Sequence, residues 1–343
     1  MHTSDFTYTL PEQAICTVPA EPRDSAKLLV SRNNTELIDA SVSDLMNFLE
    51  PGDLIVVNNT KVLPARIPVT RSTGGKGEVF LLHRINEGVW SALVRPSSKI
   101  ENGEIVRAAN EGSEGDFEIE IGSDDGEGFR VVTFLNANEI DVISSAGKTP
   151  LPPYLGNVDI PLERYQTMFA QEDKSVAAPT AGLHFTPRLK NNLEEKGIEI
   201  CEVTLHVGVG TFRPIMTENI EDHVMHEESY DINPDVWEKI LATKQSGRRV
   251  ISVGTTSLRT IESAALTGEL SGSTNLYCYG DFDFKIVDLL FTNFHQPGSS
   301  LLVLLDSFMG NRWREVYEYA LENGYRFLSF GDAMLVGRKN REI

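Results

Sequence analysis

Arg249-Val-Ile-Ser-Val-Gly-Thr-Thr-Ser-Leu-Arg259 decides the fold. Arg249-Val-Ile-Ser-Val253 reads as a strand, and Gly254-Thr-Thr-Ser-Leu-Arg259 opens a helix directly behind it. A strand running straight into a helix is the unit of an α/β protein. Free N–H groups at such a helix start, beside small hydroxyl residues, suit an anion such as a carboxylate or a phosphate. Simple N-capping by Thr256 or Ser257 is the alternative. Arg259 and Glu262 share the polar side of this helix, and a plain surface pair would also place them so.

The same texture extends outward. Ser43 to Leu49 predicts a short helix stopped by Pro51-Gly52, and Asp53-Leu-Ile-Val-Val-Asn-Asn59 a buried strand that runs into a polar turn. Thr186-Pro187 is a helix start, with Leu189 and Leu193 on one face and Gly197 as the stop. A strand over Ile198 to Val207 follows. Val236, Ile240 and Leu241 mark a helix closed by Gly247, and Trp313, Val316, Tyr317, Ala320 and Leu321 mark another that ends at Gly324. Leu301 to Leu305 is an apolar run of strand length, far short of the roughly 20 residues that span a bilayer.

Between about Arg66 and Gly147 the texture changes. Short alternating runs such as Val79-Phe-Leu-Leu82, Val89-Trp-Ser-Ala-Leu-Val94 and Phe117-Glu-Ile-Glu-Ile121 are separated by glycine-rich turns. This predicts a β-barrel or sandwich inserted in the α/β chain. The expected fold is α/β: an α/β main domain over 1–65 and 148–343, with a small all-β barrel domain inserted at 66–147.

Composition sets the class. The 343 residues are 41% hydrophobic and 24% charged, ordinary for a globular chain with two domains. Cys16, Cys201 and Cys278 lie far apart and match no zinc, iron–sulfur or disulfide pattern. The first residues carry neither a basic nor an apolar leader region, so a cytoplasmic location and no membrane association are expected. A net charge of -19 opposes nucleic-acid binding, but it is uneven. Glu101 to Gly128 hold ten acids and one base, a balance of -9, which leaves -10 for the rest. Basic clusters remain at Lys244, Arg248 and Arg249, at Arg312 and Arg314, and at Arg338, Lys339 and Arg341. Each could equally be solvated surface.

Five of the seven histidines fall between 184 and 295. In Thr204-Leu-His-Val-Gly-Val-Gly-Thr-Phe212, His206 ends a strand before glycines and points away from the core side of Leu205 and Val207. Arg213 stands where a dinucleotide fingerprint would need its third glycine. Ala177-Ala-Pro-Thr-Ala-Gly-Leu-His-Phe185 is a loop of small residues, open to a flat ligand or simply a packed turn. His223 and His226, near Glu227 and Glu228, match no named zinc motif, and no metal is expected. From the residues alone the chain is an α/β enzyme with a polar, histidine-bearing site.

These stretches occur in the order of a known family. With Asp5-Phe6, Leu10-Pro-Glu12, Arg23-Asp24, Gly52 to Arg66, Leu151-Pro-Pro-Tyr154, Arg164-Tyr-Gln166, Asp222 to Tyr230, Phe284 to Asp288, Thr292 to His295 and Tyr325 to Met334, the chain resembles the S-adenosylmethionine:tRNA ribosyltransferase-isomerases of queuosine biosynthesis. Only about 100–147 lacks the family's residues. The chain departs at Gly280-Asp281, where the family has Pro-Gly, and at Gln296-Pro297 and Ser299-Ser300, where it has Leu-Pro and Ser-Thr. It departs again at Asp306, where the family has a small serine-like residue.

The resemblance implies a reaction. The ribosyl part of S-adenosylmethionine is transferred to 7-aminomethyl-7-deazaguanine at the wobble position of tRNA and isomerised to an epoxy-cyclopentane, with release of adenine and methionine. The cosubstrate is S-adenosylmethionine, with no metal and no other cofactor, and the enzyme is expected to be a monomer. Proton transfers are required, and the candidate groups are His206, then His184, then His295. The matching motifs imply binding residues at Asn59, Arg66, Tyr154, Arg164, Thr180, Gly182, Phe185, Gly208, Gly210, Thr211, Phe212, His226 and Glu228. In the C-terminal half they are Gly254, Thr255, Thr256, Ser257, Arg259, Glu262, Lys285, Asp288, Asn293 and Asp332. A related transferase acting on a small molecule is the alternative, distinguished by release of adenine and methionine without modified tRNA. A catalytically silent RNA-binding protein would show no turnover.

Overall fold

A computed structural model of the chain describes residues 1–32, 36–109, 116–124, 129–156, 158, 160–208 and 214–339. Contacts divide it into two compact units, 1–61 with 167–172 and 178–343, and 62–166 with 173–177.

In chain order the strands are β1 (Lys27–Ser31), β2 (Ile38–Ser41), β3 (Leu54–Asn58), β4 (Thr60–Val62), β5 (Arg66–Thr70), β6 (Lys76–Asn86), β7 (Val89–Arg95), β8 (Glu104–Ala108), β9 (Phe117–Asp124) and β10 (Arg130–Phe134). They continue with β11 (Glu172–Ser175), β12 (Glu199–Leu205), β13 (Glu228–Asp231), β14 (Val250–Val253), β15 (Ser271–Thr274), β16 (Leu289–Asn293) and β17 (Ala333–Gly337). The first unit is built on a mixed nine-stranded sheet ordered β15-β13-β12-β3-β14-β16-β17-β1-β2. Its centre, β12-β3-β14-β16, is parallel. Strands β3, β14, β16 and β17 are buried along their whole length, which is why they are mainly apolar and lack the alternation of a half-exposed strand. Leu28, Ile55, Ile251, Phe291 and Leu335 join Leu189 and Leu193 in one core.

The second unit carries a closed barrel, β10-β7-β6-β5-β8-β9, antiparallel throughout. Closure removes the exposed strand edges that a small sheet would otherwise present. Alternation in β9 follows the pleat, with Phe117, Ile119 and Ile121 inside. Behind the barrel strands comes helix α1 (Glu139–Ala146), capped by Asn138. The α/β fold with a small all-β barrel is therefore what the chain adopts.

The remaining helices are α2 (Pro187–Glu195), α3 (Pro234–Gln245), α4 (Gly254–Thr267), α5 (Ser300–Met309) and α6 (Trp313–Glu322). Thr186 caps α2 as its sequence predicts, its hydroxyl accepting the Leu189 N–H at 3.1 Å. Two stretches take a form that their sequence did not specify. Residues Val42–Phe48 form a 3₁₀ helix. The apolar run Leu301 to Leu305 lies in helix α5, started by Ser299 and buried on most of its surface. A helix apolar all round has no period to betray it, so a short run cannot be told from a strand.

Candidate active site

The four parallel strands end at one edge. The registers Ser252 with Val56 and Val253 with Phe291 bring Asn58, Gly254 and Thr292 level there. Open α/β sheets bind ligands at this edge, because the loops that leave it can part. Asn58 ties the ends of β3 and β12 together. Its amide nitrogen donates to the Leu205 carbonyl at 3.0 Å, and its oxygen accepts the N–H groups of Thr60 at 3.1 Å and Leu205 at 3.2 Å. The Thr60 hydroxyl then lies 3.2 Å from His206 Nδ1. On the same side of β12, Thr204 donates to Asn59 at 2.8 Å, and Glu202 accepts from Gln171 at 2.9 Å. Burial raises the Glu202 carboxyl, opposed by its hydrogen bond from Asn59.

Helix α4 starts at the same edge. Gly254 has φ +83°, a left-handed conformation that other residues rarely adopt, so the turn from strand to helix favours glycine. Neither Thr256 nor Ser257 caps the helix. Ser257 Oγ donates back to the Val253 carbonyl at 3.0 Å, and Thr256 Oγ1 has no partner among the described residues. Nor do Arg259 and Glu262 pair on the surface; both are buried. Arg259 donates through Nε to the Leu276 carbonyl at 2.9 Å and through Nη1 to Glu228. The other Glu228 oxygen accepts the Gly208 N–H at 2.8 Å. Glu262 collects the N–H groups of Lys285, Ile286 and Val287 at 2.7, 3.0 and 2.9 Å. Burial raises its carboxyl, and those three bonds oppose the shift.

The three candidate histidines differ sharply. His184 is buried with its Nε2 3.1 Å from Asn293 Nδ2, while Thr180 donates to Asn293 Oδ1 at 3.1 Å. An amide nitrogen only donates, so His184 Nε2 is the acceptor. The backbone of Arg23 is also hydrogen-bonded to His184, and burial pushes its imidazole down to about 4. His295 is buried, with Nε2 3.2 Å from the Thr292 hydroxyl, and desolvation takes it down to about 3. Its backbone is held by Tyr8 and Tyr317. Both rings are buried, and burial disfavours their charged form. His206 is half-buried at the strand end, between buried Leu205 and Val207. His226 is half-buried beside His223, whose imidazole is lowered by burial and then by His226.

Thus Asn59, Thr180, His184, His206, Gly208, Glu228, Gly254 to Ser257, Arg259, Asn293 and His295 lie at or near one edge of the first unit. Other candidates of the first unit do not join them. Phe185 is a core residue, edge-on to Phe169 and Phe291 at 5.6 Å each. Gly182 is a packing glycine, since a Cβ would meet Thr167 Cγ2 at 3.1 Å. Asp288 precedes β16 at the opposite edge, paired with Lys244 at 2.7 Å and accepting the Val250 N–H. The Lys285 side chain pairs with Asp283 on the surface. Asp332 is a buried clamp on the N–H groups of Lys27 and Arg326. Arg66, paired with Glu78, belongs to the second unit, as do Tyr154 and Arg164. Gly210, Thr211 and Phe212 lie outside the described residues. Among the departures, Asp306 accepts from Trp313 Nε1 at 2.9 Å and Asp281 binds Lys339 at 2.9 Å, so both are used structurally.

Sequence reasoning passed over Asn58, Thr60 and Glu202. The signal was available: three polar residues, Asn58-Asn59-Thr60, directly after a buried strand. Among the described residues no group of three or more His, Cys, Asp or Glu is placed to hold a metal ion, and no helix is long and apolar enough to cross a membrane.

The comparisons with known proteins agree on one family. The family described as "Queuosine biosynthesis protein" matches residues 3–336. The S-adenosylmethionine:tRNA ribosyltransferase-isomerase of Thermotoga petrophila is 44% identical over 341 residues, covering 98% of this chain and 100% of its own. The protein of that name from Desulfitobacterium hafniense is 45% identical over 345 residues, with the same coverage. Among solved structures, the S-adenosylmethionine tRNA ribosyltransferase of Thermotoga maritima matches with a TM-score of 0.56 and 33% identity, covering 97% of this chain and 100% of that one.

Proposed function

Because the chain belongs to the queuosine biosynthesis protein family, we propose that it is an S-adenosylmethionine:tRNA ribosyltransferase-isomerase acting in tRNA queuosine biosynthesis. It transfers the ribosyl part of the cosubstrate to the aminomethyl nitrogen of 7-aminomethyl-7-deazaguanine at the tRNA wobble position. Isomerisation gives the epoxy-cyclopentane of epoxyqueuosine, and adenine and methionine leave. The observation that carries the site is the gathering of His206, Gly208, Glu228 and the first turn of α4 at the carboxyl edge of the parallel strands.

The chemistry suits such a place. A sulfonium makes its neighbouring C5′ protons acidic, so a positioned base can remove one, and the departing adenine needs a hydrogen bond or a proton. The cosubstrate occupies the loops 178–185, 206–212 and 254–259, and its carboxylate meets the N-terminal turn of α4 through Thr255 and Thr256. Ser257 is excluded, since its hydroxyl is used on Val253. His206 takes the part in proton handling. Asp288, paired with Lys244 at the far edge, takes no part in this site.

The same proposal includes an α/β domain and a barrel domain as the two folding units, a cytoplasmic monomer, and no metal or further cofactor. The decisive experiment is mass spectrometry of tRNA after incubation with S-adenosylmethionine. Epoxyqueuosine must form on tRNA that carries the aminomethyl base, with equal release of adenine and methionine. Release of both without modified tRNA would replace this reading with a small-molecule transferase, and activity lost to a chelator and restored by one metal would remove the metal-free part.

A further inference from the structure

We infer that neutral His206 carries its ring hydrogen on Nε2, because Thr60 donates to Nδ1, and that it meets the nucleoside as a hydrogen-bond donor and not as the base. This rests on the proposed placing of His206 in the reaction.

The argument starts from a hydroxyl with nowhere else to go. Thr60 is fully buried. Its backbone N–H is used on Asn58 Oδ1 at 3.1 Å. Among the described residues the one partner of its side-chain hydroxyl is His206 Nδ1, at 3.2 Å. A hydroxyl has one hydrogen and two lone pairs. Sealed from water, an unused hydrogen carries the desolvation penalty of an unmade bond, whereas an oxygen lone pair left over is better tolerated. The Thr60 hydrogen therefore points at Nδ1, which must hold a lone pair to receive it. A neutral imidazole with its lone pair on Nδ1 has its hydrogen on Nε2.

Sequence position makes this arrangement stiff. Asn58 holds the Thr60 N–H and both the N–H and the carbonyl of Leu205, the residue before His206. The His206 backbone N–H is fixed on the Ser229 carbonyl at 3.0 Å. Both partners of the Thr60–His206 contact are thus set by the same asparagine. An Nε2–H group cannot accept the C5′ proton. It can polarise a lone pair on the nucleoside, on a purine nitrogen or a ribose oxygen, as neutral imidazoles do where charge develops. Removal of the C5′ proton falls to another group, and Thr60 is a positioning residue that acts through His206.

The test is a long-range proton–nitrogen correlation spectrum of the full-length chain labelled with ¹⁵N-histidine, taken where the ring is neutral. The signal that vanishes in His206→Asn identifies the residue. The expected result is a bare Nδ1 and a protonated Nε2 in the wild type and in Thr60→Ser, with that preference lost in Thr60→Val. Turnover should fall about 10-fold or more in Thr60→Val, in line with loss of one aligned catalytic group, and return in Thr60→Ser. A wild-type ring protonated on Nδ1, which needs no variant to observe, overturns the inference. So does an unchanged tautomer in Thr60→Val. Full turnover in His206→Asn would instead remove the functional placing of His206, and the spectrum would still decide the tautomer.

Discussion

Glu228 and Arg259 form an ion pair in which both side chains are about 4% exposed. The second Glu228 oxygen takes the Gly208 N–H, so one carboxylate joins the turn after β12 to the first turns of α4. Removing one partner from a buried pair leaves an uncompensated charge, at a cost of about 3–5 kcal/mol. Glu228→Gln should therefore lower unfolding stability by an amount of that order. Urea denaturation measures it, and a loss below about 1 kcal/mol would mean that the pair is not buried in solution.

The histidines should separate by the kind of damage they cause. His206→Asn should reduce turnover by about 10²–10⁴-fold while tRNA affinity and melting temperature hold. His184→Gln and His295→Gln should lower the melting temperature first, because each takes a hydrogen-bond partner from a buried group, Asn293 Nδ2 or the Thr292 hydroxyl. Turnover assays alongside thermal melts decide this. Intact stability with lost turnover in His184→Gln would return that residue to the chemistry.

Stability should fall with acid in a defined window. His184 and His295 have folded values of about 4 and 3 against an ordinary 6.5, with burial the main cause in both. Between those values the unfolded chain binds more protons than the folded one, so stability rises with pH there. The contribution is complete above about 6.5 and is lost progressively as pH drops toward 4 and then 3. Denaturation curves at stepped pH should show this slope, and His184→Gln should flatten it.

Binding of tRNA should be strongly salt-dependent through basic groups of the first unit, since phosphate neutralisation releases counterions. The Lys244, Arg248 and Arg249 cluster is a poor candidate, because these residues pair with Asp288, Glu50 and Asp53. Arg314 is exposed and stacked on Trp313 at 4.4 Å. Arg314→Ala should weaken binding and reduce the salt slope by about 1, and Arg248→Ala should do neither. Hydrogen exchange should find no protection by tRNA in 101–128, the acidic segment, and protection there would reverse the assignment.

Much of this could be read from the chain because it depends on neighbours in sequence. The strand-to-helix junction at Val253-Gly254, the Thr186 cap and the alternation in β9 follow from local sterics and pleat. The sheet centre was legible where short apolar runs rich in β-branched residues stand between turn signals, as in Asp53 to Asn59 and Arg249 to Val253. Local reasoning failed at Leu301 to Leu305, where a buried helix shows no period. It failed again at Arg259 and Glu262, where helix spacing suggested a surface pair and tertiary packing drew the two side chains to separate partners.

What the sequence alone determined is the class of the molecule: α/β with an inserted barrel, a family by the order of its motifs, and a short set of polar residues at strand ends. What only the tertiary structure decided is which of those residues share a place and in what chemical state. His184, His206 and His295 are the same side chain with the same intrinsic affinity for a proton. Burial, and contacts between residues more than a hundred positions apart (Asn293 with His184, Thr60 with His206), give each ring a different environment. Desolvation and hydrogen-bond geometry depend on what surrounds a group in space, and the linear order of residues does not contain that distance.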